Sequence, residues 1–176
     1  MLMSELSDTR RMRIEDASSV ASVHVESWRS TYRGIVDQDM LDSMSVKQST
    51  AEWRGRIISL DSQSGLWVTP GEGDVVGFAN FGLARDVDAT SSTVELMALY
   101  VEPTAWSSGA GAALMFRVLH EMRNLAFDEA TLWVLIENER GRRFYERQGW
   151  VSDGDVQQTR LDDLILGEVR YRISLR

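Results

Sequence analysis

The sequence predicts an α/β fold with a mixed sheet, and three observations carry that prediction. Segments of strand and helix periodicity follow one another in the order β, α, α, a β meander, then β-α-β-α-β-β. The run 131–136 (Thr-Leu-Trp-Val-Leu-Ile) is almost wholly apolar, the pattern of a strand covered on both faces. The 176 residues contain no Pro/Ser/Gly-rich linker, low-complexity tract or repeat. Residues 1–176 therefore read as one domain, large enough to bury a core without disulfides.

Taken in order, residues 11–14 alternate polar and apolar and suit a first strand. Asp16 reads as the N-cap of a helix that runs through Val20, His24 and Trp28. Residues 32–46, with Gly34 and several aspartates, read as loop plus a short helical turn. A second helix covers 49–59, where Trp53 and Ile57 stand four apart on one face. Strands at 66–68 and 75–81 flank the turn-rich spacer 70–74 and suggest a hairpin. A third strand at 93–101 is ended by Pro103. The helix at 109–125 carries Leu114, Val118, Met122 and Leu125 as one stripe. After the apolar strand comes a helix at 139–148, then Gly149-Trp150, and 169–173 alternates as a final strand.

Composition excludes several functions. Twenty-seven acidic against 19 basic residues give a net charge of −8, which argues against nucleic acid or an anionic membrane as partner. The absence of cysteine removes disulfides, thiol nucleophiles and thiolate metal sites. His24 and His120 are the only histidines, too few for a multi-histidine zinc site, so no metal is expected. The single lysine, Lys47, lacks the neighbours of a P-loop. The first residues have neither the basic end nor the apolar run of a signal peptide, and no stretch reaches the ~18 apolar residues of a membrane span. A cytoplasmic location is expected.

The most informative segment is 101–113, Val-Glu-Pro-Thr-Ala-Trp-Ser-Ser-Gly-Ala-Gly-Ala-Ala. Small residues between a strand and a helix let backbone approach a ligand closely, and the first helical turn offers unpaired N–H groups at the positive end of the dipole. That combination favours a phosphate. A dinucleotide fold fits poorly: Gly109 lies eight residues beyond Val101, and Leu114 stands where a third Gly or Ala is required.

From Glu95 to Trp150 the chain resembles the GNAT superfamily of acetyl-CoA-dependent N-acetyltransferases. The resemblance rests on Glu95-Leu-Met-Ala-Leu-Tyr-Val101, the Pro103 turn, Ser108-Gly-Ala-Gly-Ala112, and Asn138-x-x-Gly141-x-x-Phe144-Tyr145-x-x-x-Gly149-Trp150. Residues 23–34 also look like a segment common in bacterial members. The family's phosphate loop usually carries Gln or Arg where this chain has Trp106, and Phe is usual in place of Trp150.

The resemblance implies a three-layer fold: a mixed, mostly antiparallel sheet of six to seven strands with a splayed central pair and helices on both faces. It implies acetyl-CoA as acyl donor. The backbone of Leu99, Tyr100 and Val101 would pair with the pantetheine arm, and the amides of Ser107, Ser108, Gly109, Ala110, Gly111 and Ala112 would hold the pyrophosphate. Asn138 would hydrogen-bond the cofactor, and Arg142 or Arg143 would meet its 3′-phosphate. Tyr145 would protonate the departing thiolate and Glu95 would serve as base, because an aliphatic ammonium of pKa ~10 must lose a proton before it attacks. Facing parity would put Glu95 on the side of Met97, Leu99 and Val101.

Trp28 and Tyr32 would line the acceptor side, with Asp37 and Asp39 near enough to suit a cation. His24 reads as a helix residue at the cleft's edge, and His120 as surface. The expected reaction is direct acetyl transfer to a primary amine of a small molecule, through a ternary complex. Peptide N-terminal acetylation and a CoA-binding module with little transfer activity are the alternatives, and a homodimer is left open.

Overall fold

The computed structural model describes residues 8–161 and 164–176. Seven strands form one sheet in the order β1-β2-β3-β4-β5-β7-β6. β1 (Arg10–Arg11), β2 (Gly65–Pro70), β3 (Val75–Leu83) and β4 (Thr93–Val101) are successive antiparallel neighbours. β5 (Glu129–Leu135) lies parallel to β4, and β7 (Leu164–Ser174) and β6 (Val151–Leu161) complete the sheet antiparallel.

The helices are α1 (Ala17–Thr31), α2 (Gln38–Ser43), α3 (Val46–Ile58), α4 (Ala110–Asn124) and α5 (Glu139–Arg147). On one face α4 packs Leu114, Met115, Val118 and Met122 against Trp67, Phe81, Leu96 and Leu132, with Phe144 and Tyr145 of α5 alongside. On the other face α1 and α3 bury Val20, Val23 and Trp53 against Val68 and Phe78. A third cluster, Tyr32, Val36, Leu41, Leu135 and Leu166, sits where the α1–α2 connection crosses the far strands.

Three local differences from the expected elements have physical causes. The first strand is confined to Arg10–Arg11, because Ile14–Asp16 form a 3₁₀ turn. Asp16 does not cap α1. Its carboxylate accepts from the Arg13 amide (2.7 Å) and pairs with Arg10, which holds that carboxyl below its usual range. α3 begins three residues early because Ser45 Oγ accepts from the Gln48 amide and supplies the cap.

Candidate active site

β4 and β5 are joined only at their first residues, Thr93–Glu95 against Glu129–Thr131. Beyond Glu95 they separate. A bulge at the Asn80/Phe81 step leaves Met97 unpaired, since Phe81 opposes Leu96 and Asn80 opposes Ala98. Glu102 N donates to Val76 O on β3, so by the alternation of an antiparallel ladder Tyr100 and Ala98 direct their backbone groups to β3. Leu99 and Val101 direct theirs into the gap. The gap opens into a cavity of about 720 Å³ that runs from the N-terminus of α4, past α5, to α1.

One end of the cavity is made of backbone. Ser107 and Gly109 both have positive φ (64° and 98°), turning the chain sharply just before α4. Gly109 takes this conformation without Cβ strain. Ser108 Oγ accepts from Ala110 N, and Ala113 N donates to Gly109 O, while the amides of Gly111 and Ala112 in the first turn have no partner among the described residues. Trp106 is fixed by its indole N–H, which donates to Val101 O (2.8 Å), and the Arg140 guanidinium stacks 3.4 Å above its ring. Arg140 and Arg147 both line the cavity, and neither has a carboxylate partner among the described residues. Burial and the charge of Arg147 lower the pKa of Arg140.

At the start of α5, Asn138 Oδ1 caps the helix by accepting from Gly141 N (2.9 Å). A Cβ at Gly141 would stand 2.7 Å from Asn138 Nδ2, so the cap requires glycine there. Tyr145, two turns on, lines the cavity midway. Its hydroxyl has no hydrogen-bonding partner among the described residues, and burial, with Tyr100 nearby, raises its pKa well above the ordinary phenol value.

The other end is made of side chains. Trp28 Nε1 donates to Tyr100 Oη (3.0 Å), Tyr100 and Tyr32 share a hydroxyl contact at 3.4 Å, and the Trp28 and Tyr32 rings meet edge-on. Val36, Leu135, Thr159, Leu161 and Leu166 extend the wall. Glu168 is the one carboxylate among the described lining residues. Burial raises its pKa.

The profile of the Acetyltransferase (GNAT) family matches residues 24–150. An uncharacterised N-acetyltransferase of Bacillus subtilis is 34% identical over 130 residues, covering 73% of this chain and 72% of that one. The chain belongs to the GNAT acetyltransferase family. It is also similar to a spermidine N(1)-acetyltransferase of Thermoplasma acidophilum, 26% identical over 84% of this chain and 91% of that protein. The GNAT fold is matched by the crystal structure of a PaiA N-acetyltransferase from Thermoplasma acidophilum in complex with coenzyme A. That match has a TM-score of 0.74 and 22% identity, and covers 92% of this chain and 96% of the other. The seven-stranded mixed sheet with helices on both faces is the fold expected, and the protein is a GNAT acyltransferase.

Within this GNAT site the structure brings together Trp28, Tyr32, Leu99, Tyr100, Val101, Ser107, Gly109, Gly111, Ala112, Asn138 and Tyr145 on one cavity wall. Tyr100 reaches it through its ring, since its backbone belongs to the β3 ladder. Ser108 and Ala110 lie off the wall, in the turn behind it. Arg142 also faces elsewhere, donating to Tyr171 Oη and Ile136 O, while Arg143 pairs with Glu139.

Glu95 is 7% exposed, lies against Arg85 (3.4 Å), and does not line the cavity. The bulge at Met97 is the reason: it breaks the two-residue alternation, so Leu99 and Val101 pack with Leu96 on the α4 face and leave Glu95 on the opposite face. Asp37 caps α2 through Met40 N, and neither it nor Asp39 reaches the wall. His24 sits among Trp28, Trp53, Phe78 and Tyr100 with ring centroids 5.6–6.0 Å away.

Glu168 is not singled out by the sequence, and Arg140 and Arg147 stand there simply as two of the four arginines at 140, 142, 143 and 147. The facing of the two arginines is readable from helical spacing, since residues 140, 144 and 147 share a stripe. Glu168 has no local signal.

Proposed function

We propose that this GNAT protein, acting as a single domain, transfers acetyl directly from acetyl-CoA to a primary amine of a small molecule, with both substrates bound together. The observation that carries the reading is the separation of β4 and β5 after Glu95, which opens one cavity onto free backbone, a phenol and an aromatic chamber in sequence.

The residues present fit acetyl-CoA. Leu99 N–H and C=O and Val101 N–H face the gap without a partner among the described residues and would pair with the amide groups of a pantetheine arm, as a sheet edge pairs with a peptide. The Val101 carbonyl is already satisfied by Trp106 and by Ser27 Oγ (3.2 Å). The amides of Gly111 and Ala112 would take the diphosphate at the positive end of α4. Arg140, held by Trp106, would supply there the polar side chain that family members usually place at residue 106. Asn138 has Nδ2 left to donate once its oxygen has capped α5.

Acetyl-CoA supplies an activated thioester. The Leu99 amide would hydrogen-bond the thioester oxygen where charge develops. Tyr145 would give its phenolic proton to the departing sulfur, and its raised pKa keeps it protonated throughout the working pH range. With no cysteine in the chain, no acyl-cysteine intermediate is available, which supports direct transfer.

Thiol release from acetyl-CoA, measured across amines and peptides, tests the reading. Small amines are expected to raise it. Binding of acetyl-CoA with no acceptor able to raise release would favour the CoA-binding module, and preference for peptide N-termini would favour protein acetylation.

A further inference from the structure

Glu168 lies on β7, opposite Leu135 of β5 and Gln157 of β6. Its Oε2 accepts from Gln157 Nε2 (2.9 Å), and no cation pairs with it among the described residues. It shares the cavity lining with Tyr32, Val36, Thr159, Leu161 and Leu166, and Leu135 stands opposite it on β5. A carboxylate half withdrawn from water and held by one neutral hydrogen bond is undercompensated. A cation from a ligand would compensate it.

We propose that Glu168 is the catalytic base and the cation subsite of the acceptor end, and that the acceptor is a primary amine carrying one charge on an apolar or aromatic body. The proposal rests on the acetyl-transfer reading above. One carboxylate matches one ammonium. Besides Gln157 and Thr159 the walls there offer rings and branched aliphatic side chains, and the described lining holds no second carboxylate to pair a second ammonium.

Glu168 accepts one proton from the bound ammonium and passes it to water. The neutral nitrogen forms the C–N bond while the C–S bond breaks. Tyr145 donates its proton to the sulfur and is reprotonated by the second proton that the nitrogen loses. Amide, thiol and one released proton are the products. Burial raises the carboxyl of Glu168, with the charge of Glu95 adding to it and the Gln157 bond opposing, so it is a better proton acceptor than a solvated glutamate. The titratable groups facing it are Tyr32, the C-cap of α1, and Tyr100 and Glu95 of β4.

The test compares wild type, Glu168→Gln, Glu168→Asp and Glu95→Gln. Phenethylamine, spermidine and a short peptide serve as acceptors, and calorimetric binding of acetyl-CoA and of phenethylamine is measured alongside. Glu168→Gln keeps the shape and the Gln157 bond, and an unchanged Tm confirms folding. It is expected to lower kcat/KM for phenethylamine by ~10²–10⁴-fold at neutral pH, with acetyl-CoA binding intact. The loss should shrink as pH approaches the amine's own pKa, and Glu168→Asp should restore part of it.

Phenethylamine should bind wild type but not Glu168→Gln, a readout that needs no turnover. Glu168→Gln activity and amine binding within roughly threefold of wild type would overturn the base and subsite. So would a loss carried by Glu95→Gln instead. Spermidine preferred over phenethylamine would overturn the acceptor class. Wild type that binds phenethylamine through Glu168 yet fails to bind acetyl-CoA would instead sink the acetyl-transfer reading.

Discussion

The two ends of the cavity are built from different materials. At the end proposed for the donor the useful groups are main-chain: the amides of Gly111 and Ala112 and the open edge at Leu99 and Val101, with the positive φ of Ser107 and Gly109 turning the chain before α4. At the end proposed for the acceptor they are side chains from α1 and its C-cap and from three strands, namely Trp28 and Tyr32, Tyr100 of β4, Thr159 of β6 and Glu168 of β7. A backbone seat survives most side-chain changes and fails when chain direction changes. A side-chain seat behaves the other way, so acceptor choice can drift while the donor site stays fixed.

Tyr145 stands at the junction, and replacing it gives the largest expected effect. Tyr145→Phe should lower kcat by ~10²–10⁴-fold while the acetyl-CoA dissociation constant stays within error, measured by thiol release and calorimetry. A raised dissociation constant with kcat preserved would move Tyr145 into the donor seat as a packing residue. The next effect lies behind the acceptor end. Burial, aided by the charge of Arg56, lowers the His24 pKa to about 4. The unfolded chain takes up that proton near pH ~6.5. Stability is therefore complete above pH ~6.5 and lost as pH falls toward 4, by about 3 kcal/mol at most. Denaturant titrations across that range should show the slope for wild type and a flatter one for His24→Phe.

The same contrast explains what is legible in the sequence. The donor end is local: a strand, a proline, a run of small residues and a helix are contiguous, so the amino-acid order of residues 95–112 suffices to place them. Tyr145 and Asn138 are legible through the family resemblance, and their seven-residue spacing, two helical turns, sets them along one face. The acceptor end depends on which strands become neighbours. Glu168 reaches the cavity only because β7 inserts between β5 and β6, a long-range pairing with no local signature. Facing parity misplaces Glu95 for a related reason, since the bulge at Met97 reverses that parity and nothing in Glu-Leu-Met-Ala-Leu announces it. β6 has a place in the expected element order but carries no alternation by which to locate it. It is an edge strand, largely exposed, and its Asp153-Gly154-Asp155 segment is itself a bulge against β7.

The smaller effects separate the arginines of α5. Arg140, stacked on Trp106 and facing the cavity without a carboxylate partner among the described residues, should matter to the donor. Arg140→Ala should raise the KM for acetyl-CoA about ten- to a hundredfold, the scale of one or two charge-assisted hydrogen bonds, with kcat nearly kept. Trp106→Ala should give part of the same loss, because it frees the guanidinium without removing it. Added salt should narrow the difference between wild type and Arg140→Ala, since an exposed charge is screened within about 10 Å at 0.1 M. Arg143→Ala, which breaks only the exposed i,i+4 pair with Glu139 (2.9 Å), should change that KM little and stability by ~0.3–0.5 kcal/mol. Should Arg143→Ala and Arg140→Ala raise the KM equally, the diphosphate would be felt as a diffuse field of the whole helix, and the stacked arginine would lose its special place.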